Sequence, residues 1–363
     1  MPTRCGRERI RVFPLDNGPH SVGEGGEATR GRRASRLGAI ARDPVAVLAA
    51  AVLVILVFAL TAGGPLAQRV LGHGPNDLFP YAVDPNTQRP VGPWTRVSTE
   101  PSANFDEFGI MQPPAADAPT TVLVLGADGS LGRDEFLRLL VGGRSTLAIA
   151  VLGTLLALAL GALLGAAAAY LGGLVDAAVE RLSELVMAFP ILLLLLVLSS
   201  SGLPRRLDSI TFGGALAQGS LTVVAVIGCF TWFYPARIVR AQVLMLRRSE
   251  FVEAATMIGA GRWRVLRSHL LPQLVSTLVA LGLVAVATNM MLEVGVTFFG
   301  VGVKAPSVSW GTMLAETWSG ALTSGTIQAT KTVWLTLIPS VAIFLTVLSL
   351  NIVGDALRER SAR

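Results

Sequence analysis

The chain is poor in the residues on which most catalytic and redox chemistry depends. Its 363 residues include two cysteines, three histidines and two lysines. Cys5 lies in an arginine-rich tail and Cys229 in an apolar run, which excludes a disulfide framework or a cysteine zinc site. His20, His73 and His269 fall in three separate segments with no partner at metal-ligand spacing, so no metal is expected. A P-loop needs a lysine directly after a glycine-rich turn. Lys304 follows Val303 and Lys331 follows Thr330, so this chain cannot hydrolyse ATP through that motif. Charge is scarce too: 15% of residues are charged, against about 25% in an average soluble chain. Hydrophobic residues make up 52%, gathered into long runs, which rules out a soluble cytoplasmic enzyme and a disordered chain. The excess of 30 Lys+Arg over 24 Asp+Glu would suggest nucleic acid in a soluble protein. In a membrane chain, loop charge sets orientation instead, and no nucleic-acid partner is expected.

A transmembrane helix takes about 20 mostly apolar residues. Six such spans are expected: Pro44–Ala67, Ser145–Val175, Leu185–Pro204, Ser209–Ala236, His269–Leu292 and Thr332–Gly354. The first should stop at Gly63-Gly64-Pro65, and the third holds the unbroken run Ile191 to Leu198. Gly161 and Gly165 fit a small-xxx-small contact, but chance explains the spacing equally well in so alanine-rich a span. With the N-terminus inside, the inner segments carry twenty Lys/Arg and the outer ones ten. Segment 235–269 decides the matter with seven arginines against two glutamates, so both termini are expected in the cytoplasm.

The expected organisation is a disordered arginine-rich tail over 1–36, a first span with its flanks over 37–71, an outer loop over 72–125 and a five-helix core over 126–360. The apolar run begins too far along the chain for a cleaved signal peptide, so span one reads as an uncleaved anchor. The outer loop is long and proline-rich. It is either a small cap or partner-docking segment, or a structureless insertion.

The inner loop 250–272 carries the functional argument. Phe251, Ala254, Ala255 and Ile258 recur at i, i+3, i+4 and i+7, one face of a short helix, with Glu250 and Glu253 in its first turns. Gly259 supplies a stop and Gly261 a reversal. A second amphipathic piece follows, with Trp263, Leu266 and Leu270 on one face and Arg262, Arg264 and Arg267 elsewhere. On pattern alone, such a bent helix pair could equally rest on lipid head groups.

The spacing Glu253-Ala254-Ala255, three residues, Gly259, then Leu271-Pro272 resembles the EAA loop of ABC-importer permeases, and specifically the dipeptide/oligopeptide/nickel branch. Here Ser268 is interposed before His269, and Gln273 stands where that branch has asparagine. Four further segments are similar to the same branch, in the same order. They are Gly126 to Asp134 with Arg133; Tyr170-Leu171-Gly172-Gly173 with Asp176, Arg181 and Pro190; Glu293 with Phe298 to Val303, Pro306 and Ser309 to Leu314; and Asn351 to Arg358.

The resemblance implies an all-α polytopic membrane protein of the type I importer architecture, in a bacterial cytoplasmic membrane. It implies that the loop docks into a separate ATPase. Ala254 and Ala255 would permit close approach, Gly259 would set the bend and Glu253 would make a polar contact, with Phe251, Ile258, Gly261, Arg262 and Trp263 completing the surface. ATP and magnesium would be held by two partner ATPase subunits, and no cofactor by this chain. A second, homologous permease and an extracytoplasmic substrate-binding protein would complete the assembly. Branch substrates are di- and oligopeptides, nickel chelates and some glycosides, peptides most often.

Glu293, with Asn289 and Met290, would line the translocation path or hold an outer gate; alternatively Glu293 is simply solvated at the head-group boundary. Trp310 and Trp318 read as interface anchors. An ion-coupled secondary transporter is the competing class. It calls for intramembrane charges and interrupted repeats, and the spans offer Glu293 alone. A membrane-embedded hydrolase would need a nucleophile with a base or a metal, and no histidine lies within a span core.

Overall fold

The computed structural model describes residues 43–84, 86, 89–108, 110–129, 131–200, 217–259, 261–265, 271–323 and 333–361. The expected tail 1–36, the far end of span three, and Leu266, His269 and Leu270 lie outside the described residues.

Helix α1 runs Pro44–Leu71, past the expected stop. A π turn at Ala59–Gly63 absorbs the first glycine, and Pro65 falls in the opening turn of the α-helical continuation Gly64–Leu71. A proline there sacrifices no intrahelical bond that the opening turn needs, so Gly-Gly-Pro bends the register without ending the helix. The left-handed Gly72 ends it, donating its N–H to the Gln68 carbonyl.

Helix α2, Glu135–Leu171, is 37 residues long and starts ten residues before the expected span. Asp134 caps it, accepting the Phe136 and Leu137 N–H groups, which satisfies two donors a helix start leaves orphaned. At 1.5 Å per residue it extends ~55 Å, well beyond the ~30 Å of a bilayer core. Its two ends therefore emerge on opposite faces of a membrane.

The chain continues with α3 (Gly173–Ala188), α4 (Ile191–Ser200), α5 (Ser220–Thr231) and α6 (Phe233–Leu246). The expected start of span four, from Ser209, lies outside the described residues; its described part reaches Leu246 and bends by 41° between α5 and α6. Two short helices follow, α7 (Glu250–Met257) and α8 (Arg262–Val265), then α9 (Leu271–Phe298), α10 (Trp310–Thr323) and α11 (Val333–Ser361). Among the described residues, four helices are long and apolar enough to cross a membrane, or five with the bent pair.

Helix α2 is the hub, packed by α5, α6, α9 and α1. Gly161 lies against the Trp232 carbonyl and the Pro235 ring, and Gly165 against the Ala236 backbone, at distances where a Cβ would collide. The small-xxx-small pair is therefore a real crossing, where backbones meet closely without a side chain between them. On its other side α2 joins a core of Met290, Val294, Trp310, Met313 and Ile343.

Between α1 and α2 the described chain folds as a 3-10 turn at Pro80–Ala82 and a two-stranded sheet. Strands β1 (Thr95–Ser98) and β2 (Thr120–Leu123) pair antiparallel with Thr95 opposite Leu123. Phe79, Ala82, Val97, Leu123 and Ala127 bury together beneath them. This small cap sits at the Glu135 end of α2.

Candidate functional site

At the Leu171 end of α2 stands the helix pair expected from the glycines. Helix α7 is eight residues long, and Gly259 follows with φ 85°, a left-handed turn that side chains with a Cβ resist. Isolated, so short a helix would not persist in water. It is held by Val252 and, across the bend, by Val265 of α8, both buried with Ala166 and Ala169 of α2, Val239 and Val243 of α6, and Leu274 of α9. The pair is thus fastened to three spanning elements at once.

Ala254 is exposed, Ile258 is 87% exposed and Met257 81%, so these side chains stand on the outer side of the pair while Val252 packs inward. Gly261 is exposed as well. Glu253, Ala255, Phe251, Arg262 and Trp263 lie on the described backbone of α7 and α8. Val252 and Val265 were missed because a helix of two turns offers too little periodicity to say which side docks. Nearby, Arg240 of α6 grips Asp176 of α3 through two hydrogen bonds. That contact holds the Asp176 carboxyl below its usual range, chiefly through the Arg240 hydrogen bond.

The opposite end of α2 is locked by charge. Asp128 accepts the Arg133 backbone N–H at 2.8 Å and its Nε at 2.7 Å. Arg133 donates to Glu316 of α10 at 2.6 Å, and Arg138, 1% exposed, bridges the same Glu316 and Asp128. Asn76 accepts from Arg138 and donates to the Pro306 carbonyl. Cap, α2 and α10 therefore share one ion-pair network. Beside it His73 pairs with Asp134 at 3.5 Å and meets the Phe79 ring edge-on. Burial pushes the Asp134 carboxyl above its ordinary range, opposed by the Leu137 N–H and His73. Asp128, Arg133 and Asp134 were legible as a motif. Arg138 and Glu316 were not, although an arginine inside the first turns of an apolar helix was a signal.

The expected path residues are enclosed. Asn289 is buried and donates to Thr154 Oγ1 of α2 at 2.8 Å, and Met290 belongs to the apolar core. Glu293 is fully buried, so the solvated reading fails. Its Oε1 accepts from Thr297 Oγ1 at 3.0 Å, and that hydroxyl accepts the Val303 N–H at 3.3 Å, tying the end of α9 to the loop beyond it. Trp310 is no interface anchor either. It is fully buried, with its indole donating to the Leu139 carbonyl at 2.9 Å and its N–H to Thr146 at 3.1 Å, while Trp318 is exposed. Ser309 and Thr312 cap one another at the start of α10, each backbone N–H donating to the other's hydroxyl.

A bundle of apolar helices with a folded cap at one end and an exposed, firmly seated helix pair at the other has the build of a membrane transport subunit. Residues 145–363 match the family described as binding-protein-dependent transport system inner membrane component, and the chain belongs to that family of ABC-importer permeases. It is 37% identical over 242 residues to a protein named as a peptide permease in Brucella ovis, covering 67% of this chain and 73% of that one. It is 32% identical over 243 residues to the glutathione transport system permease protein GsiD of Pectobacterium atrosepticum, with the same coverages. The GsiD of Salmonella typhimurium is 36% identical over 230 residues, 63% of this chain and 69% of the relative.

Proposed function

We propose that this permease passes peptides across a bacterial cytoplasmic membrane, driven by ATP hydrolysis in separate subunits that grip α7 and α8. The carrying observation is the seating of that helix pair. Val252 and Val265 bind it to α2, α6 and α9, while Ala254, Met257 and Ile258 stand free on its outer side. A rigid-body push on the exposed side is then delivered to the spans through packed side chains. Glu253, Ala255 and Gly259 complete the docking surface, Gly259 by fixing the bend.

In this reading both termini face the cytoplasm, six spans cross the membrane, and the cap lies outside. ATP and magnesium belong to two ATPase subunits, a homologous permease completes the path, and a soluble binding protein delivers substrate. Glu293, Asn289 and Met290 act by holding the outer ends of α2 and α9 together rather than by touching cargo. Peptide cargo follows the names of the relatives, a peptide permease and a glutathione permease.

The test is uptake by proteoliposomes holding the complete complex, with labelled dipeptides and glutathione supplied on the purified binding protein. Uptake that requires internal ATP is expected. Uptake driven by a proton or sodium gradient without ATP contradicts the proposal and favours an ion-coupled carrier.

A further inference from the structure

Helix α3 is held by charge where its neighbours are held by packing. It rests on α2, yet Ser183 is the one buried side chain among its 16 residues, and that hydroxyl donates to the Val179 carbonyl within the same helix. A helix with no buried apolar side chain takes little stability from its surroundings. On the α6 side, a cleft lined by Val179, Glu180, Ser183, Ala236, Arg237 and Arg240 keeps the two helices from interlocking. Across that cleft Arg240 donates Nε and a terminal nitrogen to the two oxygens of Asp176, with Glu180 at 3.9 Å from the same guanidinium. A two-point pair of this kind fixes direction as well as distance.

The pair joins two elements that run much of the length of the bundle. In α6, Arg240 sits between Val239 and Val243, which are buried with Val252 and Val265 of the helix pair. One turn of α6 thus carries both the seat of the pair and the guanidinium. From Asp176 the chain climbs about 22 Å to Ile191 at helical rise, and Arg240 lies about 21 Å from Val226 along α5 and α6. Ile191 packs on Val226 and on Val296 of α9, so the two climbs match. Helix α3 therefore runs antiparallel beside α5 and α6, from the level of the helix pair toward the Glu293 end of α9. There Leu192, in the first turn of α4, lies against Gly295.

We propose that Arg240 and Asp176 form a strut that hands the movement of the helix pair from α6 to α3, and so to the Gly295 end of α9. They are positioning residues for transport and touch no cargo. The proposal rests on the reading above, in which separate ATPase subunits push on α7 and α8. Surfaces that do not interlock slide or part when one of them is pushed, and the cleft leaves α3 and α6 in that position. A bidentate ion pair pulls as well as pushes, because guanidinium and carboxylate follow one another in either direction. Little packing resists the motion, since α3 buries no apolar side chain.

The experiment reads uptake of labelled dipeptides and glutathione, and ATP hydrolysis, in the same proteoliposomes holding the complete complex. Asp176→Asn and Arg240→Gln should each lower uptake per ATP about tenfold, with insertion normal and the ATPase subunits still bound. The exchange Asp176→Arg with Arg240→Asp should recover most of that loss. Spin labels at Arg181 and Leu163, exposed on α3 and α2, report the movement once Cys5 and Cys229 are replaced by serine. Their separation should shift between the nucleotide-free and ATP-bound complex in the wild type and stay fixed in Asp176→Asn. Normal uptake per ATP in both single variants overturns the proposal, as does a nucleotide-driven shift that persists in Asp176→Asn. So does a loss that appears only as less inserted protein, the mark of a purely structural pair. A wild-type complex without ATP-dependent uptake defeats the importer reading itself, and the strut falls with it.

Discussion

Val252 and Val265 are the fastening of the helix pair, and shortening them tests whether that fastening transmits force. Each valine is nearly or wholly excluded from solvent. Val→Ala removes two carbons from an apolar contact, about 1.6 kcal/mol at ~0.8 kcal/mol per buried methylene, before any cavity cost. That raises the population of the detached pair about fifteenfold for one substitution, since 1.4 kcal/mol is tenfold. Both together come to about 3 kcal/mol and roughly 200-fold, if the two add. They share one cluster, so some departure from additivity is expected. Spanning helices are untouched, and the effect should be confined to local opening. Hydrogen exchange on the detergent-purified complex should show faster exchange over 250–265 in the order wild type, single, double. Transport per ATP hydrolysed should fall in the same order while membrane insertion stays normal. A double variant with accelerated exchange and undiminished coupling would refute the idea that Val252 and Val265 carry the movement.

Gly259→Val forces a β-branched residue into φ 85° and should abolish transport with normal insertion, measured as uptake against membrane-localised protein. Glu253→Lys should do the same by reversing the charge of the proposed contact. Arg138→Met leaves Asp128 and Glu316 with one arginine between them, and breaking a buried ion pair costs about 3–5 kcal/mol, so the thermal midpoint should fall by several degrees. The Asp134 carboxyl is raised by burial, so the folded state holds its proton more tightly than the unfolded chain. That contribution is fully present below the usual carboxylate range and is lost as pH climbs through the raised value. Asn caps as well as Asp, so Asp134→Asn should show a melting advantage over wild type that is absent at low pH and grows toward neutrality.

The sequence revealed most where residue type dictates backbone. Gly259 had to be a turn and the apolar runs spans, because each follows from local chemistry. It misled where the deciding partner lay elsewhere in the chain. Gly63-Gly64-Pro65 reads as a stop until a π turn carries the helix through. Trp310 reads as an anchor until the α2 glycines make room for it: Gly143 lies against the indole. A folded cap could not be told from a structureless insertion because its strands are four residues each, set among prolines, and their pairing spans the intervening turn. The bent helix pair was legible in the spacing of its glycines, but the side on which it packs depends on Ala166, Val243 and Leu274, far away in sequence.

The most direct test of the account is mild-detergent affinity purification of the tagged chain followed by mass spectrometry, for wild type and Gly259→Val in parallel. The account predicts that a P-loop ATPase and a second permease accompany the wild type, and that the ATPase alone is lost from the variant. A folded wild-type chain recovered without an ATPase, or an ATPase retained equally by both, would contradict the claim that this helix pair is where the energy enters.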